Sequence, residues 1–382
     1  MNKKIPLLTL ALIIPLNITA QAKEADITVS IAAQKRAIAQ NISLQYHKMS
    51  NQLVNTMNQY DMDIPADELL HSSNVNTKVL TSNYMAIRSS KGLNQPKENA
   101  PSLVQLRLAD SSMLNALQQG QDPLFAFAPD GNESQWSAIE AYDTNGKLHL
   151  LDVYTMPKRP VVVVELNNKA VLKEGLEIMR SALTTLATNQ SKGSKRSRSQ
   201  TDNSNVISAT VLSTIQLKDD EEPWISGAAE VYAIVTGVNP SRDEPILDII
   251  DMPYLDHEAT TYHPNQILIH WQRYRWQAAD VILMEHDDAT NYKALASKLL
   301  DAAAEIMRIN ENSANYAIIA ELTNGILQAM PDAWFTNDDD YVDVFYTLQE
   351  GETYQDHIGA GNNATATFTP LIIQPRGQFS TQ

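Results

Sequence analysis

The chain has no cysteine. That excludes lipoprotein anchoring through an amino-terminal Cys, a disulfide-stapled scaffold and any zinc site built on thiolates, so stability has to come from hydrophobic cores. Long apolar runs are missing too. Pro160-Val161-Val162-Val163-Val164 and Ile246-Leu247-Asp248-Ile249-Ile250 are strand-sized. A membrane-spanning helix needs roughly 20 apolar residues, so no integral membrane segment is expected in the mature chain. Basic charge is scarce in the second half: residues 206–382 carry 8 Lys and Arg against 27 Asp and Glu, whereas residues 23–205 carry 19 against 18. The formal net charge of −16 therefore comes from one half, which repels phosphate and excludes nucleic acid as a partner.

Catalytic signatures are equally scarce. There is no Gly-x-Ser-x-Gly elbow and no His-Glu-x-x-His pair, which removes the usual serine-hydrolase and zincin patterns. Asp130-Gly131-Asn132-Glu133-Ser134 starts like a calcium loop, but Gln135 replaces its glycine and Ala141 stands where the bidentate Glu belongs, so it reads as a turn.

What is present begins with export. Met1-Asn2-Lys3-Lys4 is positive, Ile5 to Ile18 is largely apolar but broken by Pro6 and Pro15, and Ala20-Gln21-Ala22 supplies small residues. Residues 1–22 are therefore expected to be a cleavable signal peptide, placing the mature protein in the periplasm or outside the cell.

The rest divides at Thr188 to Asn205, a stretch of Ser, Asn and basic residues that reads as a flexible linker or, at Lys195-Arg196, as a protease target. Before it, residues 23–187 predict an α+β domain. A helix is expected from Ile31 to Tyr60, with Ile31, Ile38, Ile42, Tyr46, Met49, Leu53 and Met57 as its buried stripe. A small antiparallel meander follows between Pro123 and Leu166, and a helix over 170–187 closes the domain. After the linker, residues 206–382 predict an acidic, mainly β, sandwich-like domain with a helical pair inserted at about 292–330. The fold class is α+β.

The acidic side chains gather in four clusters beside strand ends: Asp219 to Glu222, Asp256-His257-Glu258, Glu285-His286-Asp287-Asp288, and Asp338-Asp339-Asp340 with Asp343. Loops meeting at one end of a sandwich bring such carboxylates together, and calcium, with six to eight oxygen ligands in flexible geometry, suits them. Asp287, Asp288, Asp338, Asp340 and Asp343 are the candidate calcium ligands. The plainer reading is a solvated acidic surface. A zinc alternative uses His257 and His263, which flank one short segment, with Asp256 or Glu258 beside them. The run from Ile267 to Trp276 alternates as a strand, putting Tyr274 and Trp276 on one face either in a core or against sugar rings or a partner protein.

The runs Glu230-Val231-Tyr232-Ala233-Ile234-Val235, Asp251-Met252-Pro253-Tyr254-Leu255-Asp256, Tyr262-His263-Pro264-Asn265-Gln266 and Met284-Glu285-His286-Asp287-Asp288, with Ala141-Tyr142-Asp143 earlier, resemble a family of exported gammaproteobacterial proteins catalogued only as a domain of unknown function. The resemblance extends over most of the mature chain and implies export and architecture; it carries no activity to any residue.

Two functional readings stand. One is an exported, non-catalytic binding protein whose calcium-organised β domain faces a surface ligand, a glycan or a protein. The other is a secreted metal-dependent hydrolase, with residues 23–187 as a pro-segment released at the linker.

Overall fold

In the computed structural model the described residues run from Ser30 to Gln374, apart from 59–61, 74, 98–99, 132, 191–205, 219–223, 227–229, 241–243, 256–258, 287, 289, 310–316 and 331–340. The expected signal peptide and residues 191–205 of the expected linker lie outside them.

The first half is built from α1 (Ile31–Thr56), β1 (Asp63–Pro65), α2 (Ala66–Ser72), α3 (Lys78–Ser90), β2 (Val104–Leu108), α4 (Leu114–Gln118), β3 (Leu124–Ala126), β4 (Ile139–Tyr142), β5 (Leu148–Leu151), β6 (Val161–Leu166) and α5 (Asn168–Gln190). Ser30 starts α1 by accepting the Ala33 N–H on its hydroxyl at 3.0 Å, one of the bonds a helix cannot supply for itself. Ile31, Ile38, Ile42, Tyr46, Met49 and Leu53 are all buried, as their spacing requires. The helix ends at Thr56, short of the expected Tyr60, because Met57 turns to extended backbone and still buries its side chain.

The meander is present as β3, β4 and β5, within a larger sheet of order β1-β2-β6-β3-β4-β5. β6 lies beside β3 in parallel and beside β2 antiparallel. Its run Val161 to Val164 is buried throughout, as a central strand covered on both faces has to be. α1 covers one face, where the Tyr46 ring meets Phe125 edge-on at 5.8 Å.

The second half contains β7 (Ile207–Leu217), β8 (Val231–Val238), β9 (Pro245–Asp251), β10 (Gln266–His270), β11 (Ala278–Glu285), α6 (Tyr292–Ile309), α7 (Ala317–Ala329), β12 (Tyr341–Gln349), β13 (Tyr354–Ile358) and β14 (Ala364–Ile373). Two four-stranded antiparallel sheets result, ordered β10-β7-β14-β13 and β12-β11-β8-β9. They enclose a core that includes Leu212, Ile215, Val235, Val281, Phe345 and Phe368. This is a sandwich, and α6 and α7 form the inserted pair.

The other face of the β12-β11-β8-β9 sheet is covered by helices. There Tyr232, Ile234, Ile249 and Ile282 share one continuous core with Leu176 and Met179 of α5 and Leu295 and Leu299 of α6. Arg180 of α5 donates to the Ile249 carbonyl at 3.1 Å. The two halves of the chain are thus packed into each other by apolar burial, with α5 on the second-half sheet.

The expected strand from Gln266 to Trp276 is interrupted. β10 stops at His270, Trp271–Arg273 forms a 3-10 turn, and Tyr274 is buried with its hydroxyl on Asp248 at 2.8 Å. Trp271 also buries, donating to Thr210 at 3.0 Å. Side chains three residues apart point to opposite faces of a straight strand, so the 3-10 turn is what lets Trp271 and Tyr274 enter one core.

Candidate functional site

Where α1, the end of α3 and the start of α6 converge, charged groups are buried together. Lys35 lies in the apolar stripe of α1, four residues after Ile31 and three before Ile38, and is only 2% exposed. Its ammonium meets Asp288 at 2.5 Å. Lys91, which caps the end of α3, is 1% exposed, and its Nζ stands 3.4 Å from Nε2 of His286. The opposite ring nitrogen, Nδ1, is 2.6 Å from the Tyr292 hydroxyl, and the two rings stack. An ammonium only donates, so His286 accepts at Nε2, carries its proton on Nδ1 and gives it to the Tyr292 oxygen.

Burial, reinforced by the Lys91 charge, pushes the His286 pKa well below its ordinary value and keeps the ring neutral. Burial alone raises Asp288, but the Lys35 and Lys91 ammonium groups outweigh it and hold the carboxyl at about 2. Next to them, burial drives Glu230 up to about 8 despite a hydrogen bond with Asn168. The backbone N–H of His286 donates to the backbone carbonyl of Glu230 at 2.9 Å, which sets the two residues side by side on adjoining segments. Glu165, also raised by burial, is tied to Arg107 and to Gln105, each at 2.8 Å.

Above the cluster lies an open groove of about 510 Å³ lined by Ser89, Gly92, Asn94, Asn291, Lys293 and Ser297, among others. Its geometry depends on Gly92, whose φ of +66° is the left-handed conformation glycine tolerates. A Cβ there would strike Asn291. Asn291 in turn caps α6 by accepting the Ala294 N–H at 3.0 Å and donates to the Ser90 carbonyl at 2.7 Å, so α3 and α6 are fixed to each other beneath the groove. Lys91 and Tyr292 adjoin lining residues in sequence, yet both point inward to His286.

Of the expected metal ligands, Asp288, Asp343 and His263 are described, and only Asp288 belongs to this cluster. Asp287, Asp338, Asp340 and His257 lie outside the described residues. Asp288 is engaged by Lys35. Asp343 is fully buried, and its carboxylate accepts four backbone N–H bonds: Val344 at 2.8, Gly361 at 2.6, Asn363 at 2.8 and Ala364 at 2.7 Å. It pins the β13–β14 turn onto β12. His263 is exposed, on the segment leading into β10. Among the described residues no group of three His, Asp or Glu side chains is spaced to hold a metal ion, and no helix is long and apolar enough to cross a membrane.

Lys35, Lys91 and Tyr292 escape a reading of the sequence for chemistry. Only Lys35 leaves a signal, a lysine standing inside an apolar stripe. Lys91 and Tyr292 carry none, because partners from distant parts of the chain define their role.

No curated protein and no solved structure matches the chain. A family model described as "Protein of unknown function (DUF3103)" matches residues 35–376, which include every member of the buried cluster. The chain belongs to this family.

Proposed function

We propose that the protein is an exported, non-catalytic binding protein that takes a glycan in the groove between α3 and α6. The observation that carries this reading is the polar part of the lining, two hydroxyls, the Asn94 amide and the Lys293 ammonium beside Leu93 and Ala294, presented by elements that a closed polar cluster holds in place. Donors and acceptors of that kind match sugar hydroxyls, and a fixed backbone spares the ordering cost of binding. A non-catalytic role is supported by the direction of the displaced groups. His286 is spent on Lys91 and Tyr292, Asp288 is spent on Lys35, and none of these five residues lines the groove.

Calcium belongs to this reading as the counter-charge of the acidic β half, around Asp287, Asp338 and Asp340. The hydrolase reading, with 23–187 shed as a pro-segment, is less well supported, because loss of α5 would uncover the core it shares with α6 and β9.

A glycan array probed with the purified protein tests the binding role. The expected result is retention of a defined glycan class that Lys293→Glu and Asn94→Ala each weaken at least tenfold with an unchanged melting temperature. Retention of no glycan, or binding indifferent to both changes, removes the groove. Thermal melts in millimolar calcium and in chelator test the metal, and an unchanged midpoint eliminates calcium. Cell fractionation tests export.

A further inference from the structure

Among the described residues three sheets present six edges, and five of them are blunted. β1 carries Pro65 and β9 carries Pro245, while the pairings of β10, β12 and β13 are broken by register shifts. Proline and bulges are the usual devices against edge-to-edge pairing. β5, Leu148-His149-Leu150-Leu151, has no proline, no formal charge and no register shift.

Its backbone is set up to pair. The Asp143 N–H donates to the Lys147 carbonyl at 3.0 Å, and Ala141 stands opposite His149. Bonding positions alternate along an antiparallel ladder, so Lys147, His149 and Leu151 turn their peptide groups toward β4. Leu148 and Leu150 turn theirs to the open side. Their side chains are 47% and 67% exposed and stand on the α1 face, opposite Tyr142 and Glu140. Leu44 of α1, also exposed, closes on the Gly146 turn before β5, so three leucines form one apolar strip.

We propose that two copies of this chain pair antiparallel through β5 about a two-fold axis at His149, joining their first-half sheets into one. In this register Leu148 faces the partner's Leu150 and each donates to and accepts from the other, so the apolar strip covers itself. The register centred on Leu150 is excluded, because it would pair Leu148 with the partner's Asp152, whose carbonyl already accepts from Trp224 at 3.1 Å. Charge also selects a second copy at this edge. The first half, with 19 basic against 18 acidic residues, meets its equivalent without net repulsion, and the halves carrying 8 against 27 stay apart.

Light scattering after size exclusion on the purified protein at about 1 to about 100 μM, which brackets a micromolar Kd, is expected to give twice the chain mass at the upper end. Leu148→Arg with Leu150→Arg is expected to give the single mass with unchanged circular dichroism. The missing cysteines supply a register test: His149→Cys places two thiols at a non-bonded pair about 4.5 Å apart between Cα atoms, within disulfide range. Mild oxidation should therefore cross-link His149→Cys and leave Met85→Cys, on exposed α3, as single chains. A monomeric wild type throughout, a double variant that stays dimeric, or equal cross-linking of both cysteine variants overturns the proposal.

Discussion

Lys35 and Asp288, 253 positions apart in the sequence, meet at 2.5 Å where the first helix abuts the start of α6. Breaking a buried ion pair from one side leaves the other charge uncompensated. Lys35→Met is therefore expected to lower unfolding free energy by about 3 kcal/mol, the low end for such pairs, because Asp288 is 31% exposed. Lys35→Met combined with Asp288→Asn should recover part of that loss in a urea-unfolding cycle.

The same pair sets an acid limit. Asp288 titrates at about 2 when folded and near 4 when unfolded. A depressed carboxyl stabilises above the unfolded value, and that contribution disappears as pH falls from about 4 to about 2. Asp288→Asn should flatten the stability profile in that window and leave its slope above pH 5 unchanged.

Glu230 acts in the opposite sense. Its folded value of about 8 means that the folded protein holds a proton which the unfolded chain releases above about 4.3. Stability therefore falls as pH rises between these values. Glu230→Gln, which removes the ionisation and keeps the shape, is expected to stabilise by on the order of 2 kcal/mol at pH 8 and negligibly at pH 4. Chemical denaturation at the two pH values measures it, and equal effects at both would contradict a titrating Glu230.

Asp343 is a turn staple in this fold. Removing its carboxylate abandons four N–H donors, and Asp343→Ala is expected to cost about 3 kcal/mol. Asp343→Asn, which keeps one acceptor, should cost less. If calcium raises the melting temperature, the rise should persist in Asp343→Asn; its disappearance would make Asp343 a ligand.

These residues mark how far the sequence was readable. Period and burial agree along α1, and β7, β8 and β9 alternate or run apolar as strands of a sandwich do. β11 was not legible: both of its faces are covered, so it has no alternation, and Asp280 interrupts its apolar run although it is fully buried beneath α7. That aspartate accepts the Thr347 N–H at 2.7 Å, a partner 67 residues away. The acidic residues read as ligands were legible as charges alone, since nothing local reveals that Asp343 would be enclosed by a glycine turn or Asp288 matched by a lysine from the first helix. Side-chain period reports which face is buried, and the partners of a buried charge are set by topology.

Gly175 and Tyr292 give the sharpest test of the junction between the halves. A Cβ at Gly175 would collide with the Tyr292 ring, so α5 can approach α6 only without a side chain there. Gly175→Ala should therefore destabilise by about 2 kcal/mol, although alanine is the better helix former. Tyr292→Phe keeps the ring and removes only the hydroxyl bonded to His286, and is expected to cost about 1 kcal/mol. In Gly175→Ala the ring has already been displaced from His286, so the double variant should cost less than the sum of the two. Additive losses would mean that the ring yields to the new methyl without leaving His286, and that the close approach of α5 does not position the cluster.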